Sequence, residues 1–124
     1  MADPSNSILY AVTAELSDEA TRQEYVAWLA GGHIQEVVAR GGSHAQVIAL
    51  DPDTDGSERV TFRVESRYIF PTRGALDAYI RDHAPRLRAE GVAKFGHRGV
   101  TFSRRIGLIL AAFPTLPPAH GERV

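Results

Sequence analysis

The stretch HAQVIALDPDTDGSERVTFRVESRYIF, residues 44–70, decides the fold of this chain. Its two ends, HAQVIAL and ERVTFRVESRYIF, are rich in valine, isoleucine and aromatic residues, and the second alternates between apolar and polar positions, as strands do. The DPDTDGS segment between them consists of residues that favour turns. The stretch therefore predicts a β-hairpin.

The second strand of this hairpin has one apolar and one polar face, because successive side chains of a strand point to opposite sides. Four residues form the apolar face, which we expect to lie under helices: Val60, Phe62, Val64 and Tyr68. Four others form the opposite, polar face: Thr61, Arg63, Glu65 and Arg67. Alternation alone predicts that this polar face meets water.

A strand and a helix precede the hairpin. SILYAVTAEL, residues 7–16, alternates as a strand does, and Ser17 with the acidic residues after it is typical of a helix start. Apolar or aromatic residues and one histidine then recur at spacings of three and four, which predicts a helix: Tyr25, Trp28, Leu29, His33 and Val37. Gly31 and Gly32 interrupt this helix, and we expect them to bend it or to leave space beside it.

A second helix and a last strand follow the hairpin. The helix begins at Thr72, bends near Pro85 and carries a stripe of Leu76, Tyr79, Ile80, His83 and Leu87. VTFSRRIGLIL, residues 100–110, is the fourth strand. The order βαββαβ predicts a ferredoxin-like α+β fold, in which two helices pack on one face of an antiparallel four-stranded sheet.

Length and composition narrow the class of protein. The 124 residues suit one domain, which we expect over residues 7–110, between a polar lead at 1–6 and a proline-rich tail at 111–124. Lys and Arg number 14 against 15 Asp and Glu, so the chain has no general attraction for nucleic acid or for anionic membranes. There is no cysteine, no signal sequence and no apolar run long enough to span a membrane, which favours a cytoplasmic protein.

Four segments carry a resemblance to a known family: ILYAVTAEL, WLAGGHIQEVVARGG, LDAYIRDHAPRLRAEGVAKFG and FSRR. In this order and spacing, over residues 8–106, the chain resembles a bacterial domain of unknown function in the dimeric α+β barrel superfamily, which includes antibiotic-biosynthesis monooxygenases. The resemblance implies a homodimer in which two sheets face each other, so that Arg63, Glu65 and Arg67 would meet the partner's sheet. The family has no established activity. This chain departs from the family pattern at the glycines before His33 and at Gln35, which would change the bend of the first helix.

Metal and nucleophile motifs are weak in this sequence. Asp51, Asp53, Asp55 and Gly56 match the opening of a calcium loop, but the twelfth position is Phe62 instead of glutamate, which favours a plain hairpin loop. No pair of histidines has metal-helix spacing, and no serine lies in a nucleophile turn. We therefore expect no metal ion or other cofactor.

Two histidines are the candidate catalytic residues, because His33 and His83 lie on the apolar stripes of their helices and should face the sheet. A buried imidazole titrates near neutral pH and suits acid–base chemistry, although a hydrogen-bonded core histidine is the simpler interpretation. Superfamily members with known ligands bind them between helices and sheet. The candidate ligand-binding residues are Trp28, Gly32, Tyr79 and Arg86. Arg86 is one of three basic residues after the Pro85 bend, with Arg88 and Lys94, that could recognise a carboxylate at a pocket mouth, although a solvated helix face is the simpler interpretation.

Three functions therefore remain open from the sequence. The chain is an enzyme acting on a small apolar or aromatic compound without a metal, a ligand-binding or regulatory module, or a purely structural dimer.

Overall fold

The computed structural model describes residues 6–52 and 60–113. The chain forms four strands and four α-helices, joined by one π-helical turn and one 3₁₀ turn within the described ranges. In chain order they are β1 (Ile8–Leu16), α1 (Glu19–Trp28), the π turn (Leu29–His33), α2 (Ile34–Ala39), β2 (His44–Leu50), β3 (Phe62–Phe70), α3 (Arg73–Asp82), α4 (Ala84–Phe95), the 3₁₀ turn (Gly96–Arg98) and β4 (Thr101–Leu108).

The four strands form one antiparallel sheet in the order β2-β3-β1-β4. This order and the helices between the strands confirm the predicted ferredoxin-like fold. The predicted hairpin is confirmed as well, since β2 pairs with β3 and Ala45 lies opposite Tyr68. Asp53, Asp55 and Gly56 of the candidate calcium loop lie outside the described residues.

The helices cover one face of the sheet and form the core there in two clusters. The first cluster gathers around Tyr10, Phe70 and Leu76, and the second around Tyr25, Leu29 and Phe95. Burial of each such side chain stabilises the fold by about 1.5 to 3 kcal/mol. The predicted faces of β3 are confirmed at Phe62, Val64 and Tyr68. Val60 is an exception: it precedes β3 and is 45% exposed, so the expectation that it lies under the helices was wrong.

The first predicted helix is broken into α1 and α2 at the two glycines. Gly32 has φ 153° and ψ −30°, a backbone conformation that residues with a Cβ atom rarely adopt. The break leaves a wider, π-helical turn in which the Ile34 N–H donates to the Leu29 carbonyl. Gln35 Nε2 donates to the Ala30 carbonyl at 2.8 Å and so satisfies an acceptor that the break frees. A Cβ atom at Gly32 would meet nothing within 4 Å, so glycine is not required there for close packing. It is required because of its backbone conformation.

The second predicted helix is also two helices. Thr72 begins α3, and its hydroxyl oxygen accepts from the Ala75 N–H at 3.0 Å. The helix ends at His83, whose φ of −127° is not helical, and Pro85 lies in the first turn of α4, where its missing N–H costs nothing. Among the described residues, no helix is long and apolar enough to cross a membrane.

Charged side chains lie on the sheet face opposite the helices, and they pair within the chain. Glu65 is only 4% exposed and accepts from Arg67 Nε at 2.5 Å and from Arg105 Nη2 at 2.7 Å. Arg63 Nε donates to Glu15 at 3.1 Å on the neighbouring strand. The polar face predicted from Arg63, Glu65 and Arg67 therefore exists, with its carboxylates already neutralised by arginines.

Candidate functional site

A cavity of about 40 Å³ lies between the helices and the sheet, at the boundary of the two core clusters. Its floor includes a row of residues across the sheet, in which Val12 on β1 pairs with Ser66 on β3 and with Arg104 on β4. The neighbouring row contains the larger pair Tyr10 and Tyr68. Because Val12 and Ser66 are small, this row leaves space that the helices do not fill.

Aromatic side chains form a large part of the cavity wall. All four tyrosines of the sequence and its single tryptophan line the cavity, together with Phe102. Tyr10 lies 6.0 Å from Tyr68 and 5.9 Å from Tyr79, measured between ring centroids. Burial raises the pKa of Tyr25 to about 12 and raises the pKa values of Tyr68 and Tyr79 above their ordinary value as well. These three phenols are therefore neutral at physiological pH.

Three buried polar atoms on this cavity have no hydrogen-bond partner: His33 Nδ1, Ser66 Oγ and Arg88 Nε. The hydroxyls of Tyr25 and Tyr68 interact with Ser66, which opposes part of the burial shift of their pKa values, but the Ser66 oxygen has no partner with full hydrogen-bond geometry. A buried polar atom without a partner costs about 1 to 3 kcal/mol. Three such atoms around one cavity indicate that a polar molecule, either water or a ligand, binds in the cavity.

The π turn brings His33 onto the ring of Trp28. The two ring centroids are 4.2 Å apart with an interplanar angle of 26°, which is a stacked arrangement. In a regular α-helix, residues five apart point about 140° away from each other. The wider turn, with its break at Gly32, removes most of this offset and lets both rings line the cavity.

His33 is the one histidine among the described residues that line the cavity, and burial perturbs it as well. Burial lowers the pKa of His33 below its ordinary value of 6.5, and the Glu90 and Glu36 carboxylates oppose this shift only in part. The imidazole is therefore neutral at physiological pH. The Nδ1 atom of a neutral imidazole either carries a proton or has a free lone pair. Because Nδ1 of His33 has no partner, it is available to donate a proton to a bound molecule or to accept one from it.

Two arginines bring positive charge to the cavity. Arg88, from α4, donates from Nη2 to the Tyr10 hydroxyl at 3.2 Å, while its Nε has no partner. Arg104, from β4, lines the cavity from the sheet. No aspartate or glutamate belongs to the lining within the described residues. The cavity thus combines aromatic walls with two guanidinium groups.

Three of the predicted site residues, Trp28, His33 and Tyr79, line this cavity, and three do not. Gly32 is exposed on the π turn, and His83 lies at the break between α3 and α4, with its ring 6.4 Å from Tyr79. Arg86 is exposed and pairs with Glu90 and Glu36. The structure therefore does not bring Gly32, His83 or Arg86 to the cavity.

Sequence reasoning missed Ser66 and Arg104. A signal was present for both, because Ser66 interrupts the apolar alternation of β3 and Arg104 interrupts that of β4. A polar residue at an apolar strand position indicates a site that needs a polar group. Of the three basic residues named after the Pro85 bend, Arg88 lines the cavity, and Arg86 and Lys94 do not.

In the part of the chain that the structure describes, no three His, Asp or Glu side chains come together as a metal site requires. Together, the fold and the cavity define a ferredoxin-like α+β protein with an aromatic cavity between its helices and its sheet. The chain belongs to the family DUF4286, a domain of unknown function, whose model matches residues 7–109. The predicted membership of an uncharacterised family with this fold is thus confirmed.

Three solved structures are similar in fold. A dimeric ferredoxin-like protein from an uncultured marine organism has 16% identity and a TM-score of 0.56, over 86% of this chain and 97% of that chain. An ethyl tert-butyl ether d (EthD) family protein from Bacillus halodurans has 14% identity and a TM-score of 0.52, over 80% and 96%. The designed protein Foldit4 has 7% identity and a TM-score of 0.52, over 82% and 96%. At these identities the likeness concerns the fold alone. A comparison with curated proteins finds no match.

Proposed function

We propose that this protein binds a small molecule in the cavity between helices and sheet and transforms it by acid–base chemistry at His33, without a metal. The observation that carries the proposal is the convergence of three unpartnered buried polar atoms on one cavity. A cavity that served packing alone would be lined by apolar atoms, because unpartnered polar atoms destabilise the fold.

The role of His33 follows from its surroundings. Its imidazole is held by the stack on Trp28 and is neutral, so it suits proton abstraction from a bound compound. The aromatic walls favour a compound with an apolar or aromatic part. Oxygenase-type chemistry without a cofactor, in the manner of the antibiotic-biosynthesis monooxygenases, is one reaction that begins with such a proton transfer.

A thermal-shift screen with a diverse panel of small compounds tests the proposal. A ligand that binds only the folded state stabilises it by about 2.7 kcal/mol at a concentration one hundred times Kd. We expect at least one compound to raise the melting temperature saturably and to change the fluorescence of Trp28, the single tryptophan, which lines the cavity. A panel without any saturable shift would contradict the proposal.

A pair of histidine variants tests whether a compound that raises the melting temperature binds in the cavity or elsewhere on the surface. His33→Ala should abolish the shift produced by a hit, whereas His97→Ala, at an exposed histidine of the 3₁₀ turn, should retain it. Turnover of the hit, followed by mass spectrometry, then distinguishes an enzyme from a binding module. Saturable binding without turnover supports the alternative of a non-catalytic ligand-binding or regulatory protein.

We further propose that the protein is a homodimer through the sheet face that carries Arg63, Glu65 and Arg67. Pairing of these residues within the chain supports this, because it lowers the cost of burying charge against a second sheet. The similar marine protein is described as dimeric. Light scattering at micromolar concentration should report a dimer, and a monomer would contradict this part of the proposal.

The source and location of the protein belong to the same proposal. The resemblance to a bacterial family supports a bacterial origin, and the absence of cysteine agrees with a reducing cytoplasm. Fractionation of a bacterium that expresses the full-length protein would test the location.

A further inference from the structure

We propose that the cavity takes the carboxylate group of a small organic acid, held by Arg88 and Arg104. This inference rests on the proposed function and specifies the chemical class of its ligand. Its central observation is that two arginines line a cavity whose described lining contains no acidic residue.

The arginines of the cavity differ from most others in the chain in lacking an ion-pair partner. Within the described residues, eight arginines pair with a carboxylate, whereas neither Arg88 nor Arg104 does. The paired ones are Arg22, Arg40, Arg63, Arg67, Arg81, Arg86, Arg98 and Arg105. Arg88 is partly buried, and a buried guanidinium nitrogen without a partner is costly. An anion that entered the cavity would remove that cost at Arg88 and would add an attraction to the exposed Arg104.

The geometry of Arg88 suits a carboxylate. Nε and Nη2 form one edge of the guanidinium, which binds the two oxygens of a carboxylate side by side. Nη2 contacts the Tyr10 hydroxyl at 3.2 Å, and Nε is buried without a partner. A carboxylate at this edge would satisfy Nε and accept from the Tyr10 hydroxyl. Arg104 would approach it from the sheet.

The volume limits how much of the ligand enters. A cavity of about 40 Å³ is space for about three water molecules, far less than the roughly 300 Å³ of a drug-sized pocket. A carboxylate has three heavy atoms and fits. The cavity is partly open to solvent and its lining includes the exposed Arg104, so the remainder of the acid would extend out of the cavity.

The charge, and not the shape, of the ligand is the property to test. Propionate and propionamide have nearly the same size and differ in charge, so they form a matched pair of probes. Each is titrated into the full-length protein at constant total salt, and binding is followed by Trp28 fluorescence and by the melting temperature. We expect propionate to bind about tenfold or more tightly than propionamide, since hydrogen bonds to charged groups are the stronger ones.

Variants assign the effect to the cavity. Arg88→Gln and Arg104→Gln should each weaken propionate binding by about tenfold while leaving propionamide unaffected. Arg81→Gln removes the same charge from an exposed position on α3 and should bind propionate as the unmodified protein does. Arg104 is exposed, so we expect Arg104→Gln to fold. This variant still tests the inference if Arg88→Gln fails to fold. Circular dichroism of each variant checks the fold.

The outcomes separate this inference from the proposed function. Equal binding of propionate and propionamide, or binding unchanged in both arginine variants, overturns the carboxylate assignment and leaves a ligand pocket standing. No binding of either probe also overturns it, while the proposed function is then decided by the wider thermal-shift screen. Selective propionate binding that is lost in Arg88→Gln or Arg104→Gln, and kept in Arg81→Gln, supports the inference.

Discussion

Replacement of Gly32 by alanine should destabilise the protein, whereas the same change at the adjacent Gly31 should stabilise it. Gly32 has φ 153° and ψ −30°, outside even the small left-handed region open to other residues. Such a conformation costs a residue with a Cβ atom about 3 kcal/mol. Alanine also restricts the unfolded chain, which offsets about 1 kcal/mol. Because an added Cβ at Gly32 meets nothing within 4 Å, no clash contributes, and the net loss is about 2 kcal/mol.

Gly31 is the matched control. It has no positive φ, and a Cβ there also meets nothing within 4 Å. Alanine in a helical turn is favoured over glycine by about 0.5 to 1 kcal/mol. The two neighbouring variants should therefore differ by about 3 kcal/mol, with opposite signs relative to the unmodified protein.

Urea unfolding followed by circular dichroism measures this difference directly. The fluorescence of Trp28 gives a second readout, because loss of the break would turn His33 away from the Trp28 ring. If Gly32→Ala stabilises the protein as Gly31→Ala does, Gly32 does not have the backbone conformation described here. The helix break between α1 and α2, and the placement of His33 that depends on it, would then be contradicted.

Three further predictions concern His33 and the open sheet face. His33→Ala should lower the free energy of unfolding by about 1 kcal/mol, because the stack on Trp28 is lost. No hydrogen-bond partner is left unsatisfied, since His33 Nδ1 has none. A loss near 3 kcal/mol in urea unfolding would instead indicate a packed core residue. The pKa of His33 is lowered in the folded state, so the unfolded chain takes up the proton first as the pH falls below about 6.5, and stability should decrease there. Urea unfolding at several pH values should show this decrease in the unmodified protein and a smaller one in His33→Ala; identical profiles would count against it. Glu65→Lys should weaken the dimer in light scattering, because it places a third positive charge beside Arg67 and Arg105. The effect should be strongest at low salt, where charges are screened least. The control variant Glu19→Lys, on α1, should leave the dimer unchanged.

The sheet and its faces were predictable because alternation is a local property of a strand. The pattern of 44–70 indicated the hairpin and the buried Val64 and Tyr68, and the structure confirms both. The sequence also indicated interruptions at Gly32 and Pro85. It did not indicate that Gly32 forms a π turn, because glycine permits many conformations and the choice among them depends on tertiary packing.

The cavity was harder to predict than the fold, since it depends on which side chains fail to fill a space. Trp28, His33 and Tyr79 were chosen because they lie on apolar helix stripes, and they do line the cavity. Arg86, Arg88 and Lys94 were named together as possible carboxylate contacts, and only Arg88 reaches the cavity, because helical spacing does not fix to within one turn which way a long side chain extends.

A crystal structure of the protein soaked in sodium propionate shows directly whether the cavity between helices and sheet takes the carboxylate of a small organic acid. We expect a propionate whose carboxylate contacts Arg88 Nε and whose carbon chain lies near the stacked Trp28 and His33 rings. Water molecules alone in the cavity, bonded to His33 Nδ1, Ser66 Oγ and Arg88 Nε at a saturating concentration of propionate, would contradict it.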